Sequence, residues 1–243
     1  MSFTVVIPAR FASTRLPGKP LLDIGGKPML QHVYERACKS EAKQVFIATD
    51  DRRIFEAAQN FGAKVCMTRD SHVSGTDRIQ EVASQLGLAE HEVVVNVQGD
   101  EPLIPVAAIN QVAENLIKNP RAGISSLCEA IQSQDEIDDS NAVKVVLDNE
   151  NCALYFSRAS IPWHSSALAQ NALRHIGIYA YRVSILNQFV RWAPTQLEVQ
   201  EKLEQLRALV NGVKIHMDIS KERIPAGVDT EKDLEAVRLF LAK

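Results

Sequence analysis

The first half of the chain alternates short β-branched runs with amphipathic stretches, and this alternation constrains the fold more than any other feature. Apolar runs at residues 5–7, 44–48, 64–67 and 93–97 are typical of strands, and apolar residues at helical spacing separate them. The fourth run is apolar throughout, as expected for a strand buried on both faces. The pattern predicts a doubly wound, mainly parallel α/β sheet of the Rossmann-like type, with its ligand beyond the carboxyl ends of the strands.

The pattern changes after a helix predicted at about residues 106–118. Strand-like runs then follow one another with only short helical pieces between them, at residues 123–131, 142–147, 153–156 and 175–181. We therefore expect part of the second half to be antiparallel. A long helix is predicted at about 196–210, with Leu203, Leu206 and Val210 on one face, and a last helix begins near Thr230. The small, polar segment 162–171 is predicted to be a mobile loop.

Composition excludes several classes of protein. Hydrophobic residues make up 46% of the 243 residues and charged residues 23%, as in ordinary soluble proteins, and the formal charge of -3 argues against nonspecific nucleic-acid binding. Neither a signal sequence nor an apolar run near the ~20 residues of a membrane span is present, so we expect a cytoplasmic protein without a membrane partner. The four cysteines are widely separated and favour free thiols over disulfides or a zinc site.

A basic loop follows the first strand. Arg10, Arg15 and Lys19 lie within ten residues of one another, and Pro17-Gly18 predicts a turn that brings cations together. Such a loop at the carboxyl end of a strand suits a polyphosphate. Spacing alone leaves a solvated basic loop equally open.

Carboxylates follow two further strands. Asp100 comes directly after the buried fourth strand, with Glu101 and Pro102 behind it, and Asp229 follows a later strand and a glycine turn. Mg²⁺ is typically held by one or two carboxylates plus substrate phosphates, so Asp100 and Asp229 are candidate ligands. The alternative for Asp229 is that it caps the terminal helix.

Weaker signals come from three other places. Residues 74–76 offer hydroxyls and backbone N–H groups to a base or phosphate, or simply begin a helix. His175 and Tyr179 lie in phase on one strand and face either core or pocket. Glu204 and Gln205 lie off the apolar face of their helix, which indicates solvent.

Several motifs together resemble one family. The runs, in chain order, are IPARFASTRLPGKPLLDIGGKPM, MTRDSHVSGTDR, VVNVQGDEPLIP, ALYFSRASIPW, LRHIGIYAYR, LEQLRAL and GVDTEKDL. They resemble the 3-deoxy-manno-octulosonate (Kdo) cytidylyltransferases, which belong to the sugar nucleotidyltransferases, over nearly the whole chain. The basic first run is shared with sugar nucleotidyltransferases at large, whereas the combination of the later runs is more specific.

The resemblance implies a role for each candidate residue. The nucleotide would contact Ala9, Arg10, Arg15, Lys19, Ser74, Gly75, Thr76 and Gln98. The acidic sugar would contact Gln98, Arg158, His175, Tyr179, Glu204 and Gln205. Arg10, Lys19 and Asp100 would be catalytic, and Asp100 and Asp229 would hold Mg²⁺. This reverses the solvent interpretation of Glu204 and Gln205.

The activity implied is the Mg²⁺-dependent reaction of CTP with Kdo, giving CMP-Kdo and pyrophosphate for lipopolysaccharide synthesis. The resemblance also implies a homodimer. We expect a single compact unit with three parts: a nucleotide-binding half (1–121), a sugar-binding and dimerisation region (122–218) and a C-terminal metal-ligand turn and helix (219–243). The alternatives are the same chemistry on 8-amino-Kdo or another 2-keto-3-deoxy acid sugar and, more remotely, a non-catalytic nucleotide-binding module.

Overall fold

The computed structural model describes residues 2–12, 16–163 and 172–242. Arg15 and most of the predicted mobile loop lie outside the described residues. No helix within the described ranges is long and apolar enough to cross a membrane.

The first half follows the predicted alternation. In chain order its elements are β1 (Phe3–Ala9), a 3-10 turn (Lys19–Leu21), β2 (Asp23–Ile24), β3 (Lys27–Pro28), α1 (Met29–Ala37), β4 (Gln44–Thr49), α2 (Arg52–Asn60), β5 (Val65–Met67), α3 (Gly75–Gln85), β6 (Val93–Asn96) and α4 (Val106–Lys118). Strands β2 and β3 form a small antiparallel hairpin that the sequence pattern did not predict.

The described part of the second half begins with four strands and one short helix, and it ends with four helices and one further strand. Its elements are β7 (Ile124–Ala130), α5 (Gln134–Asp138), β8 (Lys144–Leu147), β9 (Ala153–Ser157), β10 (Leu173–Arg182), α6 (Val183–Phe189), α7 (Gln196–Glu201), α8 (Gln205–Val210), β11 (Ile215–Ile219) and α9 (Glu231–Leu241).

One mixed sheet joins the two halves in the order β11-β7-β10-β6-β1-β4-β5. Strands β6, β1, β4 and β5 are mutually parallel, and β7 is parallel to β11. Strand β10 runs antiparallel to both β6 and β7, and β8 and β9 continue from it as an antiparallel extension. The predicted fold class is confirmed, including the partly antiparallel second half. The three-part division of the chain stays a prediction.

Both faces of the sheet are buried because successive residues of its central strands point to opposite sides. On one face Val5 and Val95 pack beneath α1, α2 and α4. On the other, Val6 and Val94 pack against α3, α6 and α8. The apolar character of β1 and β6 therefore reflects their central position, which was predicted for β6.

The prediction of a single helix at 196–210 is wrong, because the structure has two helices there. Helix α7 ends where Lys202 adopts a left-handed conformation (φ 55), and α8 begins at Gln205. The break turns Leu203 and Leu206 into the core, while Val210 is 54% exposed rather than on a shared buried face. A charge-assisted contact across the break, from Arg207 Nε to a Glu198 carboxylate oxygen at 2.9 Å, holds the two helices together.

A buried ion pair supports the start of α3. The side chain of Arg78 is fully buried, donates to Asp50 Oδ2 at 2.8 Å and also contacts the Thr68 hydroxyl. Because a buried guanidinium must be paired, Asp50 fixes the position of α3 relative to the end of β4.

We predict that Asp50→Ala lowers the free energy of unfolding by about 3 kcal/mol, since it leaves the buried Arg78 charge uncompensated. Urea denaturation measures this change. The control is Glu56→Ala, which breaks the exposed i,i+4 pair with Arg52 and should cost less than about 0.5 kcal/mol. Equal, small losses in both variants would contradict the structural role of the Arg78 pair.

Candidate functional site

A cavity of about 400 Å³ opens at the carboxyl ends of β1 and β6. This is the place expected for a ligand of a doubly wound sheet. Seven of the predicted site residues line it: Ala9, Arg10, Lys19, Gly75, Gln98, Asp100 and Asp229. The structure thus brings together four segments that lie up to 220 residues apart in the sequence, as the positions of Ala9 and Asp229 show.

Lys19 lies at the centre of the oxygen atoms in this cavity. Its ammonium nitrogen Nζ donates to Asp100 Oδ2 at 2.7 Å, to the Val228 carbonyl oxygen at 2.7 Å and to Asp229 Oδ1 at 3.0 Å. Burial alone would lower the pKa of Lys19, but its hydrogen bonds to Asp100 and then Asp229 raise the pKa above the usual value. Lys19 therefore stays charged and holds the two predicted metal ligands side by side.

The alternative role of Asp229 as a helix cap is wrong. Thr230 is the N-cap of α9, and its hydroxyl and the Asp233 carboxylate form a reciprocal capping box. The Asp229 carboxylate instead points towards Lys19. The chain beside it is fixed because the Val228 N–H donates to the Asp100 carbonyl oxygen at 2.8 Å.

Glu101 lies behind Asp100 and was not predicted as a site residue. Burial, and then the charge of Asp100, raises the pKa of Glu101 to about 8. Its Oε2 has no hydrogen-bond partner within the described part of the chain. The loop of Gly227 packs directly over it, since a Cβ on Gly227 would lie 3.6 Å from Glu101 Cγ. Glu101 is thus neutral at pH 7, which keeps a third negative charge away from Asp100 and Asp229.

Arg10 presents a positive charge that carbonyl groups hold in place. Its guanidinium donates to the His72 and Val73 carbonyl oxygens, each at 3.1 Å. Because these partners are neutral, Arg10 remains available to an anion in the cavity. Burial, and next the charge of Arg78, lowers the pKa of Arg10, and an arginine stays protonated at neutral pH nonetheless.

The residues 74–76, which we call the nucleotide turn, form the N-terminus of α3. Ser74 is the N-cap, and its hydroxyl and the Asp77 carboxylate form a capping box. Gly75 lines the cavity beside Pro8. Thr76 is buried, and its hydroxyl donates to Glu204 Oε2 at 2.6 Å. Ser74 therefore completes the helix start, which agrees with the simpler interpretation, while Gly75 faces the cavity.

A second, smaller cavity of about 50 Å³ contains three of the predicted sugar-binding residues. Its lining comprises Ile124, Tyr179, Tyr181, Phe189, Glu204 and Gln205, which we call the sugar pocket. The break after Lys202 places Glu204 and Gln205 here rather than on a solvent-facing side of one long helix. Tyr181 was not predicted, although its position two residues after Tyr179 on β10 puts it on the same face.

His175 packs beside this pocket. Its ring lies 5.3 Å from that of Tyr179 and 5.0 Å from that of Phe156, measured between centroids, and Nε2 is 3.0 Å from the Ser126 hydroxyl. Burial lowers the pKa of His175 to about 3. The imidazole is therefore neutral at physiological pH, and its placement fits both of the predicted alternatives, core and pocket.

Arg158 lines neither cavity. Its Nε donates to the Glu201 carbonyl oxygen at 2.8 Å and its Nη1 to the Ser140 carbonyl oxygen at 2.9 Å, while its backbone N–H donates to the Glu201 carboxylate at 2.9 Å. These bonds tie the end of β9 to α7. The role of Arg158 in binding the sugar stays a prediction.

A family model described as cytidylyltransferase matches residues 4–215. Two relatives named 3-deoxy-manno-octulosonate cytidylyltransferase, from Alcanivorax borkumensis and Pseudomonas syringae pv. syringae, are 55% and 57% identical over 249 residues. Each alignment covers 99% of this chain and 98% or more of the relative. The chain belongs to the cytidylyltransferase family. The resemblance seen in the motifs is thereby confirmed.

Two solved structures are similar to this chain, and the first agrees with its membership of the cytidylyltransferase family. A structure titled CMP:2-keto-3-deoxy-manno-octonic acid synthetase complexed with CTP is 43% identical, with a TM-score of 0.93 over 99% of this chain and 98% of that one. A 4-diphosphocytidyl-2C-methyl-D-erythritol synthase is 14% identical with a TM-score of 0.67, and shows the shared fold alone.

We predict a pH-dependent stability that originates at His175. In the unfolded chain this histidine binds a proton below its ordinary pKa of 6.5, whereas in the folded protein it does so only near 3. The unfolded state therefore gains protons first as pH falls, and stability decreases from about pH 6.5 downwards. Between pH 6.5 and 4.5 wild type should lose about 2 kcal/mol more than His175→Gln.

Urea denaturation at the two pH values measures this difference. His91→Gln changes an exposed histidine and serves as the control, which should follow wild type. Parallel losses in wild type and His175→Gln would show that His175 does not stay neutral in the folded protein.

Proposed function

We propose that this protein transfers CMP from CTP to Kdo, giving CMP-Kdo and pyrophosphate. The observation that carries the proposal is the contact of Lys19 with both Asp100 and Asp229, in the cavity that Arg10 also lines. The relatives are named for this sugar, and the similar solved structure is titled as a complex with CTP. The anomeric hydroxyl of Kdo would attack the α-phosphorus in line, and the bond to pyrophosphate would break.

Arg10 and Lys19 supply the positive charge for the triphosphate. Negative charge grows on the bridging and pyrophosphate oxygens as the bond to the α-phosphorus breaks, and cations fixed in advance stabilise that charge. Backbone carbonyls hold Arg10 and carboxylates hold Lys19, so both cations already lie at the cavity before the nucleotide arrives. Arg15 stays a predicted third cation.

The residues around Lys19 Nζ fit a magnesium ion. Two carboxylates and a carbonyl group surround the ammonium group, and Mg²⁺ prefers such oxygen ligands. Asp100 and Asp229 would hold the ion, which would neutralise phosphate charge and lower the pKa of the attacking hydroxyl. Neutral Glu101 behind them limits the repulsion between carboxylates.

The sugar pocket would contact the acidic sugar through hydroxyl, carboxylate and amide groups. Tyr179, Glu204 and Gln205 offer donors and acceptors for sugar hydroxyls. Gln98 lines the nucleotide cavity at the end of β6 and would contact both substrates. The pKa of His175 is about 3, so its imidazole is a poor proton acceptor at pH 7. We therefore assign no general base.

We also propose a homodimer through the second half of the chain. Strand β9 pairs only with β8 among the described strands, and Leu154 on it is 61% exposed, with Trp163 nearby in sequence at 85%. Large exposed apolar side chains at a sheet edge favour an interface. The cytoplasmic location and the use of the product in lipopolysaccharide synthesis stay predictions from the resemblance.

A panel of sugars tests the proposed function. Pyrophosphate release is measured with CTP and Mg²⁺ and, in turn, Kdo, 8-amino-Kdo or a nonulosonic acid. We expect the highest kcat/KM with Kdo. A higher value with another acid sugar would reassign the substrate, and CTP binding without pyrophosphate release from any of them would favour the non-catalytic module.

Asp100→Asn should reduce turnover at least about 100-fold, because it removes a carboxylate charge from the proposed metal site. The fold should survive, and the thermal melting temperature measures this. Asp70→Asn, at an exposed aspartate outside both cavities, is the control and should retain wild-type turnover. Turnover near that of wild type in Asp100→Asn would refute the role of Asp100.

A further inference from the structure

One hydrogen bond joins the nucleotide turn to the sugar pocket. The Thr76 hydroxyl donates to Glu204 Oε2 at 2.6 Å, across 128 residues of sequence. Thr76 is 2% exposed, so this hydroxyl is held away from solvent. The contact therefore connects two sets of residues that lie on distant segments of the chain.

The Thr76 end of the bond is rigid. Thr76 lies in the first turn of α3, which the reciprocal capping box of Ser74 and Asp77 begins. Two residues later, the fully buried Arg78 pairs with Asp50 and fixes the same turn to the end of β4. The position of the Thr76 hydroxyl is therefore set by the nucleotide half of the molecule.

The Glu204 end is less constrained. Glu204 is the N-cap of the short helix α8, makes no side-chain capping bond, and follows the left-handed break at Lys202. Among the described residues, Thr76 is the one side chain that donates a hydrogen bond to its carboxylate. The Thr76 hydroxyl also interacts with the Tyr181 phenol, a second group lining the sugar pocket.

The direction of the Glu204 carboxylate matters because the substrate is itself an acid. Two carboxylates that face one another repel, whereas a carboxylate that faces sugar hydroxyls accepts strong, charge-assisted hydrogen bonds. A hydrogen bond that holds Oε2 leaves Oε1 for the sugar in one fixed orientation. Without it, a glutamate with three side-chain torsions has several orientations available.

We propose that Thr76 is a positioning residue for the sugar. Its hydroxyl orients Glu204 so that the free carboxylate oxygen accepts hydrogen bonds from hydroxyl groups of the acidic sugar. The inference rests on the proposed function, and it gives Thr76 a role different from the nucleotide contact that the family resemblance implies. Thr76 would also link the two substrate sites, since the same turn carries Gly75 in the nucleotide cavity.

Thr76→Val removes the hydroxyl and keeps the shape of the side chain. We expect the KM for Kdo to rise at least about tenfold, with the Kd of CTP, measured by calorimetry without sugar, changing less than about twofold. Thr76→Ser keeps a hydroxyl and should restore the KM for Kdo to within about threefold of wild type. Thr4→Val, at a buried threonine of β1, is the isosteric control for stability and for both constants.

A double-mutant cycle with Glu204→Gln separates positioning from a direct contact. If Thr76 acts through Glu204, Thr76→Val should change the KM for Kdo much less in the Glu204→Gln background than in wild type. Thr76→Ala provides a second test should Thr76→Val melt well below Thr4→Val, and the same changes in KM and Kd are expected of it.

Three results would overturn the inference. One is a weaker Kd for CTP with an unchanged KM for Kdo in Thr76→Val, which would assign the hydroxyl to the nucleotide. Another is full additivity in the cycle, and the third is a Thr76→Ser variant no better than Thr76→Val. A wild-type protein that binds CTP and releases no pyrophosphate with Kdo contradicts the proposed function itself, and the inference with it.

Discussion

The contact of the Lys19 ammonium with three oxygen atoms is the interaction on which the arrangement of the site depends. It joins the loop after β1, the end of β6 and the segment before α9. These segments lie up to 210 residues from Lys19 in the sequence. Two carboxylates this close together repel each other strongly in a partly buried cavity, and one shared cation removes the repulsion. Neutral Glu101 is consistent with the same constraint, because a third charge would have no partner. Charge balance around Lys19 therefore holds these three segments together, and it favours ligands that keep the charges of the cavity paired.

The same balance connects the proposed ligands to one another. A metal ion held by Asp100 and Asp229, as proposed, would compete with the Lys19 ammonium for the same oxygen atoms, and a triphosphate would offer that ammonium another anion. Binding of the nucleotide and binding of the cation would then favour each other, which is a coupling of sites in the thermodynamic sense. Arg10 differs, since carbonyl groups hold it and no carboxylate has to release it.

Local patterns in the sequence predicted the parts of this structure that depend on neighbouring residues. The strands, the central place of β6 and the antiparallel second half follow from β-branched runs and their spacing, and Asp100 and Asp229 follow from their positions after strands. The break at Lys202 could not be predicted, because the apolar spacing of 203, 206 and 210 also fits one helix. Neither could the Thr76–Glu204 contact, which depends on how two distant segments pack. Tyr181 could have been predicted, because it lies two residues after Tyr179 on β10 and therefore on the same face of the strand.

The affinity of the nucleotide-free protein for Mn²⁺ tests the central role of Lys19 most directly. Mn²⁺ takes the oxygen ligands that suit Mg²⁺ and is detected by electron paramagnetic resonance. Lys19→Met removes the competing ammonium and should bind Mn²⁺ at least about tenfold more tightly than wild type, while Lys27→Met, at an exposed surface pair with Glu35, should match wild type. An affinity in Lys19→Met equal to or weaker than that of wild type would show that the oxygen atoms around Lys19 are not the cation site.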